Sequence, residues 1–133
     1  MDVLPADQTR SGLRVFVVEN HPDTLKYLRM YLEMLEHTVL SAGTMGEAVV
    51  ALPLANCDVL ISDIGLPDGD GWELMRQVQG KLARPLYAIA MSGFGLNADH
   101  LRSREVGYRH HLLKPFKPTE LDAMLAEAAR GIH

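Results

Sequence analysis

Five short apolar runs, each followed by a stretch with helical periodicity, constrain this chain more than any other feature of its sequence. The runs are Arg14-Val-Phe-Val-Val18, His37-Thr-Val-Leu-Ser41, Asp58-Val-Leu-Ile-Ser62, Leu86-Tyr-Ala-Ile-Ala-Met91 and His110-His-Leu-Leu113. Their length suits strands, and several are almost continuously apolar instead of alternating, the pattern of strands covered on both faces of a parallel sheet. Between them, Leu25, Leu28, Leu32 and Leu35 recur on one helical face behind Pro22, which suits a first helical turn. Thr44-Met-Gly-Glu47 opens a second helix as a capping box. A third helix is expected from Gly71 to Gln79 and a fourth from Asn97 to Val106. A fifth starts at Pro118 and turns Leu121, Met124, Leu125 and Ala128 inward. Five rounds of strand and helix predict an α/β fold with a doubly wound, five-stranded parallel sheet, because right-handed crossovers leave few other topologies.

In such a sheet, ligands bind beyond the carboxyl ends of the strands, near the point where strand order reverses. Glu19 and Asn20 follow the first strand, Asp63 the third, Ser92 the fourth and Lys114 the fifth. Oxygen atoms from Glu19, Asn20 and Asp63 suit a hard divalent cation such as Mg²⁺. Lys114 adds a mobile positive charge and Ser92 a hydroxyl donor. Together these groups can offset the charge of a phosphoryl group in transfer, a reaction that needs mainly positioning and electrostatic stabilisation.

The chain has 133 residues, enough for one domain that buries about two-thirds of its unfolded surface. With 47% apolar and 23% charged residues it has globular composition, and a formal charge of -4 disfavours nonspecific binding to DNA or anionic membranes. The first twelve residues are polar, carry Pro5 and Gly12, and lack the apolar core of a signal peptide. They are expected to form a flexible lead-in (1–12) to a domain over 13–133. Cys57 is the only cysteine, so no internal disulfide can form, and a cytoplasmic location is expected.

The ordered motifs Val17-Val-Glu-Asn-His-Pro-Asp23, Ser62-Asp-Ile-Gly-Leu-Pro-Asp-Gly-Asp-Gly71, Met91-Ser-Gly93 and Lys114-Pro-Phe116 resemble those of the receiver domain of two-component response regulators. The resemblance runs from Leu13 to Arg130. It implies a flavodoxin-like (βα)5 fold with strand order 2-1-3-4-5. It also implies Asp63 as phosphoacceptor, Glu19 and Asn20 with Asp63 and the Gly65 carbonyl as ligands of Mg²⁺, Ser92 as switch hydroxyl and Lys114 as phosphate contact. A cis Lys114-Pro115 bond is implied too. Two positions depart from the family pattern: Asn20 stands where an aspartate is usual, and His111 where the switch aromatic is usually Tyr or Phe.

The implied activity is that of a signalling module rather than a turnover enzyme. A histidine kinase or histidine phosphotransfer protein supplies the phosphoryl group, and a downstream protein target receives the signal. The fifth helix runs close to His133, so no direct DNA binding and no membrane contact are expected; weak homodimerisation is compatible with this picture. Two alternatives stand beside it: a pseudo-receiver that binds partners without phosphorylation, and a receiver cut from a hybrid histidine kinase.

Other residues have plainer readings. Cys57 reads as a small buried hydrophobe, Met30, Met34, Met75 and Met124 as core filler, and Trp72 as a packing residue. Asp68 and Asp70 read as turn residues beside Gly69 and Gly71, and His21 as an exposed helix-start residue. His110 and His111 are neighbours on a strand and point to opposite faces, so they cannot chelate one ion as a pair.

Overall fold

The structure, a computed structural model, describes residues 12–93 and 97–131. The expected lead-in therefore lies, apart from Gly12, outside the described residues. Strands β1 (Arg14–Val18), β2 (Thr38–Ala42), β3 (Val59–Asp63), β4 (Tyr87–Ser92) and β5 (Tyr108–Leu113) alternate with helices α1 (Pro22–Met34), α2 (Met45–Ala55), α3 (Gly71–Val78), α4 (Asn97–Val106) and α5 (Pro118–Gly131). All four strand pairings are parallel, and the spatial order is β2-β1-β3-β4-β5, the doubly wound sheet expected.

The lack of alternation in the strands has a direct cause. Successive side chains point to opposite faces, and helices cover both. Val15, Val17, Val59, Ile61, Ile89, Met91 and Leu112 pack with Leu28 and Leu32 of α1 and Leu121 and Leu125 of α5. Phe16, Val18, Leu60, Ala88, Ala90 and Tyr108 face the other way, against Ala48 and Leu52 of α2 and Leu74, Met75 and Val78 of α3. The central strand β3 is buried at every position.

Helix starts are set by local chemistry. Pro22 occupies the first turn of α1. Thr44 Oγ1 accepts from Glu47 N at 3.1 Å, one half of the expected capping box. The other half differs: Glu47 Oε1 accepts from Gly43 N at 3.0 Å, one residue before the cap. Asp68 sits in a turn, as expected, and also reaches across to accept from Met45 N and Gly46 N, both at 2.8 Å. Asp70 caps α3 by accepting from Glu73 N at 2.7 Å. Between β3 and α3, Gly65–Leu66 pairs antiparallel with Gly69–Asp70 in a two-residue ladder.

Two methionines correct the sequence reading. Met75 is buried and Met124 half-buried, but Met30 and Met34 are 61% and 71% exposed. Leu28 and Leu32 take the inward face of α1, which turns Met30 and Met34 outward. Leu35 also falls outside the inward face, as the exposed C-cap residue.

Candidate functional site at the carboxyl edge of the sheet

The ladders that define the sheet also place the polar groups at its edge. Glu19 N continues the β1 ladder by donating to Ala42 O at 3.1 Å, Ile64 N donates to Met91 O at 2.8 Å, and Lys114 N donates to Ser92 O at 2.8 Å. Three strands thus carry their hydrogen bonding one residue past the strand end, which fixes the backbone of Glu19 and Lys114 and of the residue after Asp63. Asp63 and Ser92 are themselves the last residues of β3 and β4.

The Lys114 ammonium bridges two carboxylates, donating to Glu19 Oε1 at 2.7 Å and to Asp63 Oδ2 at 2.9 Å. The Glu19 side chain is fully buried, and Glu19 Oε2 also accepts from His21 N at 3.0 Å and lies 3.1 Å from His21 Nδ1. Burial works against the charge of Glu19, but the bonds from Lys114 and His21 outweigh it and hold this carboxyl below the ordinary range. Asp63 goes the other way. Burial pushes its carboxyl up, Lys114 only partly opposes that, and the neighbouring Glu19 charge pushes further. Burial disfavours the charge of Lys114, but its two carboxylate partners raise it above the usual lysine range. One ammonium therefore serves two acids, and the acid with more donors keeps its charge more easily.

Of the residues expected in the site, Glu19, Asp63 and Lys114 are brought into direct contact. Asn20 and Gly65 are exposed beside Glu19 and just beyond β3. Ser92 Oγ lies 2.7 Å from His111 Nε2. The Lys114-Pro115 bond is cis, as expected. His21 caps the start of α1 with its ring 72% exposed, the plain reading made of it. The contact of its ring with Glu19 was not legible, because it depends on how the β1–α1 turn folds back.

Glu19, His21 and Asp63 offer ligand atoms that all lie within 4.8 Å of one another, and the two carboxylates among them suit a hard divalent cation, which takes oxygen ligands. Gly71 lies against the floor of the site: a Cβ there would meet Asp63 O at 2.8 Å and Tyr108 Oη at 3.1 Å. Tyr108 donates to Gly71 O at 2.7 Å.

With this geometry in view, comparison with known proteins decides the family. The response regulator receiver domain family matches residues 15–126. The chain belongs to that family. The receiver is 32% identical over 115 residues to the transcriptional regulatory protein ResD of Bacillus subtilis, covering 86% of this chain and 47% of ResD. It is 32% identical to an uncharacterized 14.6 kDa protein of Leptolyngbya boryana, covering 86% of this chain and 88% of that one. It therefore spans about half of the length of ResD and most of the Leptolyngbya protein. Among solved structures, the receiver domain of the sensor histidine kinase PA1611 from Pseudomonas aeruginosa matches with a TM-score of 0.81 at 25% identity, over 90% of this chain and 99% of that one; its active-site cleft coordinates a magnesium ion. A CheY-like receiver from Methylobacillus flagellatus has the same fold, with a TM-score of 0.78 at 23% identity, over 89% of this chain and 99% of that one. The chain is thus a receiver of two-component systems, related to response regulators and to receivers of sensor kinases. Among the described residues, no helix is long and apolar enough to cross a membrane.

Proposed function

We propose that this receiver accepts a phosphoryl group on Asp63 from a histidine kinase or phosphotransfer protein and signals through a change of shape. The observation that carries this reading is the Lys114 ammonium held between the Glu19 and Asp63 carboxylates at the carboxyl edge of the sheet. An Asp63 oxygen attacks the phosphorus of a phosphohistidine, the N–P bond breaks, and the imidazole leaves with the bonding electron pair. The product is an acyl phosphate on Asp63. Lys114 offsets negative charge on the transferred group, and Ser92 donates its hydroxyl hydrogen to a phosphoryl oxygen once the transfer is complete.

Glu19, Asn20, Asp63 and the Gly65 carbonyl are the residues to hold Mg²⁺, which supplies charge neutralisation for the phosphoryl oxygens when bound. The receiver works as a signalling module rather than a turnover enzyme, in the cytoplasm and through protein partners. A net charge of -4 disfavours nonspecific binding to DNA.

Incubation with acetyl phosphate and Mg²⁺, followed by intact mass, tests the reading. The expected result is one phosphoryl group on the wild type and none on Asp63→Asn. Labelling of Asp63→Asn would move the acceptor elsewhere. The exposed, neutral Asn20 favours a second reading, a pseudo-receiver that binds partners without phosphorylation, for which a wild type that takes no label is the expected outcome.

A further inference from the structure

His111 has both ring nitrogens engaged. Nε2 lies 2.7 Å from Ser92 Oγ, and Nδ1 lies 3.0 Å from Ser103 Oγ on α4. Ser103 is 2% exposed, and its oxygen also accepts from Trp72 Nε1 at 2.9 Å. A continuous polar chain therefore runs from the edge of the sheet, through an imidazole and a buried hydroxyl, to the indole at the start of α3. The neighbours of the chain limit how it can move. His100 stacks on His111 with ring centroids 4.4 Å apart and planes 3° from parallel, and the Arg102 guanidinium lies 4.2 Å from the centre of the Trp72 ring.

Donor chemistry fixes the far end of the chain and permits one continuous direction through it. A hydroxyl has one hydrogen to donate, and indole N–H can only donate. Having accepted from Trp72, Ser103 can pass its own hydrogen to His111 Nδ1, which leaves Nε2–H to donate to Ser92 Oγ. This arrangement needs a neutral ring, and burial, helped by the neighbouring His100 and opposed by Asp99, holds His111 below the ordinary histidine range. A Phe at position 111 would fill the space but end the chain at Ser92.

We propose that Ser103 is a positioning residue of the phosphoryl switch, holding the His111 ring between Ser92 and Trp72 so that movement of Ser92 toward a phosphorylated Asp63 reaches the surface between α3 and α4. This inference rests on the proposed roles of Asp63 and Ser92. When Ser92 turns to the phosphoryl group, His111 follows it, and the shift at Nδ1 disturbs the bond between Ser103 and Trp72. Phosphorylation is thereby reported at a surface set by hydrogen bonds and not by the inward swing of an apolar ring.

Trp72 is the only tryptophan, so intrinsic fluorescence reads the far end of the chain directly. The full chain is first saturated with Mg²⁺, and emission is recorded before and after acetyl phosphate, with intact mass on the same samples to measure occupancy. The wild type is expected to change its emission on labelling. Ser103→Ala, which suits a helix, should label to the same extent and lose the greater part of that change. Ser103→Thr keeps the hydroxyl and should restore it, and His111→Phe should behave like Ser103→Ala. An unchanged response in Ser103→Ala at equal labelling would overturn the relay, as would a labelled wild type with no emission change. A folded Ser103→Ala that fails to label would place Ser103 in the chemistry itself and overturn the relay too. A wild type that takes no label would overturn the proposed function and the relay with it, which the mass measurement alone reveals.

Discussion

Asp63 bears its charge in surroundings that only partly compensate for it. Burial raises its carboxyl, and the nearby Glu19 adds to that rise against the pull of Lys114. The folded state therefore binds this proton more tightly than the unfolded state does. The stability that Asp63 contributes is present below its ordinary value of 3.8 and is lost as pH rises through the raised folded value. Asp63→Asn should consequently melt at a higher temperature than the wild type at neutral pH, and the gain should vanish as pH falls below the ordinary aspartate range; thermal melts across pH check both. Asn20, exposed and next to Glu19 in the chain, brings a neutral amide where a carboxylate would add charge. A charge pair at ~4 Å is worth up to about 4 kcal/mol at an effective dielectric of 20, and desolvation and carboxylate repulsion return part of it. With a net gain of about 1–2 kcal/mol, Asn20→Asp should tighten Mg²⁺ binding by roughly five- to thirtyfold, as measured by titration calorimetry. Equal affinity in both proteins would remove Asn20 from the metal site.

At the scale of elements, the start of α3 joins local capping to the site. Asp70 caps the helix, and Gly71, its first residue, touches the Asp63 carbonyl and accepts from Tyr108. Gly71→Ala would force a Cβ against backbone that also carries Asp63. It should cost about 1–3 kcal/mol in urea titrations, as overpacking does, and should slow labelling by acetyl phosphate. Losing the Asp70 cap through Asp70→Ala should cost about 1 kcal/mol and leave labelling nearly unchanged, because the bond it removes joins Asp70 to Glu73 N and involves neither Glu19 nor Asp63. Measuring both variants side by side separates helix stability from site geometry.

For the whole molecule, one sheet joins two apolar layers. Leu60 and Ile61 are adjacent on β3 yet sit in opposite layers. Each change to Ala should cost about 2–5 kcal/mol, and unfolding followed by far-UV circular dichroism should coincide with that followed by Trp72 fluorescence, as one cooperative unit requires. Separate transitions would mean that the layers melt independently. The histidines add a pH dependence. Burial lowers His37, and burial with His100 lowers His111, so both prefer to be neutral in the folded state. Their contribution is present above the ordinary histidine value of 6.5 and is lost as pH falls through the depressed folded values. The melting temperature should drop as buffer is taken from about pH 8 to about pH 5, and His37→Gln should flatten part of that drop.

The architecture was legible in the chain because it depends on patterns that repeat locally. Near-continuous apolar strands, helices of fitting length and polar residues at strand ends give a parallel sheet with one functional edge, and Glu19, Asp63 and Lys114 do meet there. The first strand was read at both of its ends, but the other four were misplaced by one or two residues at one end or both, since pairing with a neighbour and not composition ends a strand. The outward methionines of α1 were misread because helical spacing marks a face without saying which face has a partner. Asp68 does lie in a turn, as read, but its bonds to the start of α2 were not legible because that helix end lies 22 and 23 residues away along the chain. The chain from Ser92 to Trp72 was invisible for a related reason: Ser103 sits in a polar helix, and only the packing of α4 on β5 and α3 buries its hydroxyl between two partners. Periodicity and strand-end chemistry, carried by residues close in sequence, determined the fold and the charged centre of the site. Which nitrogen meets which hydroxyl, and which of two acids keeps its proton, was decided by distances between residues far apart in sequence, and only the folded chain sets those.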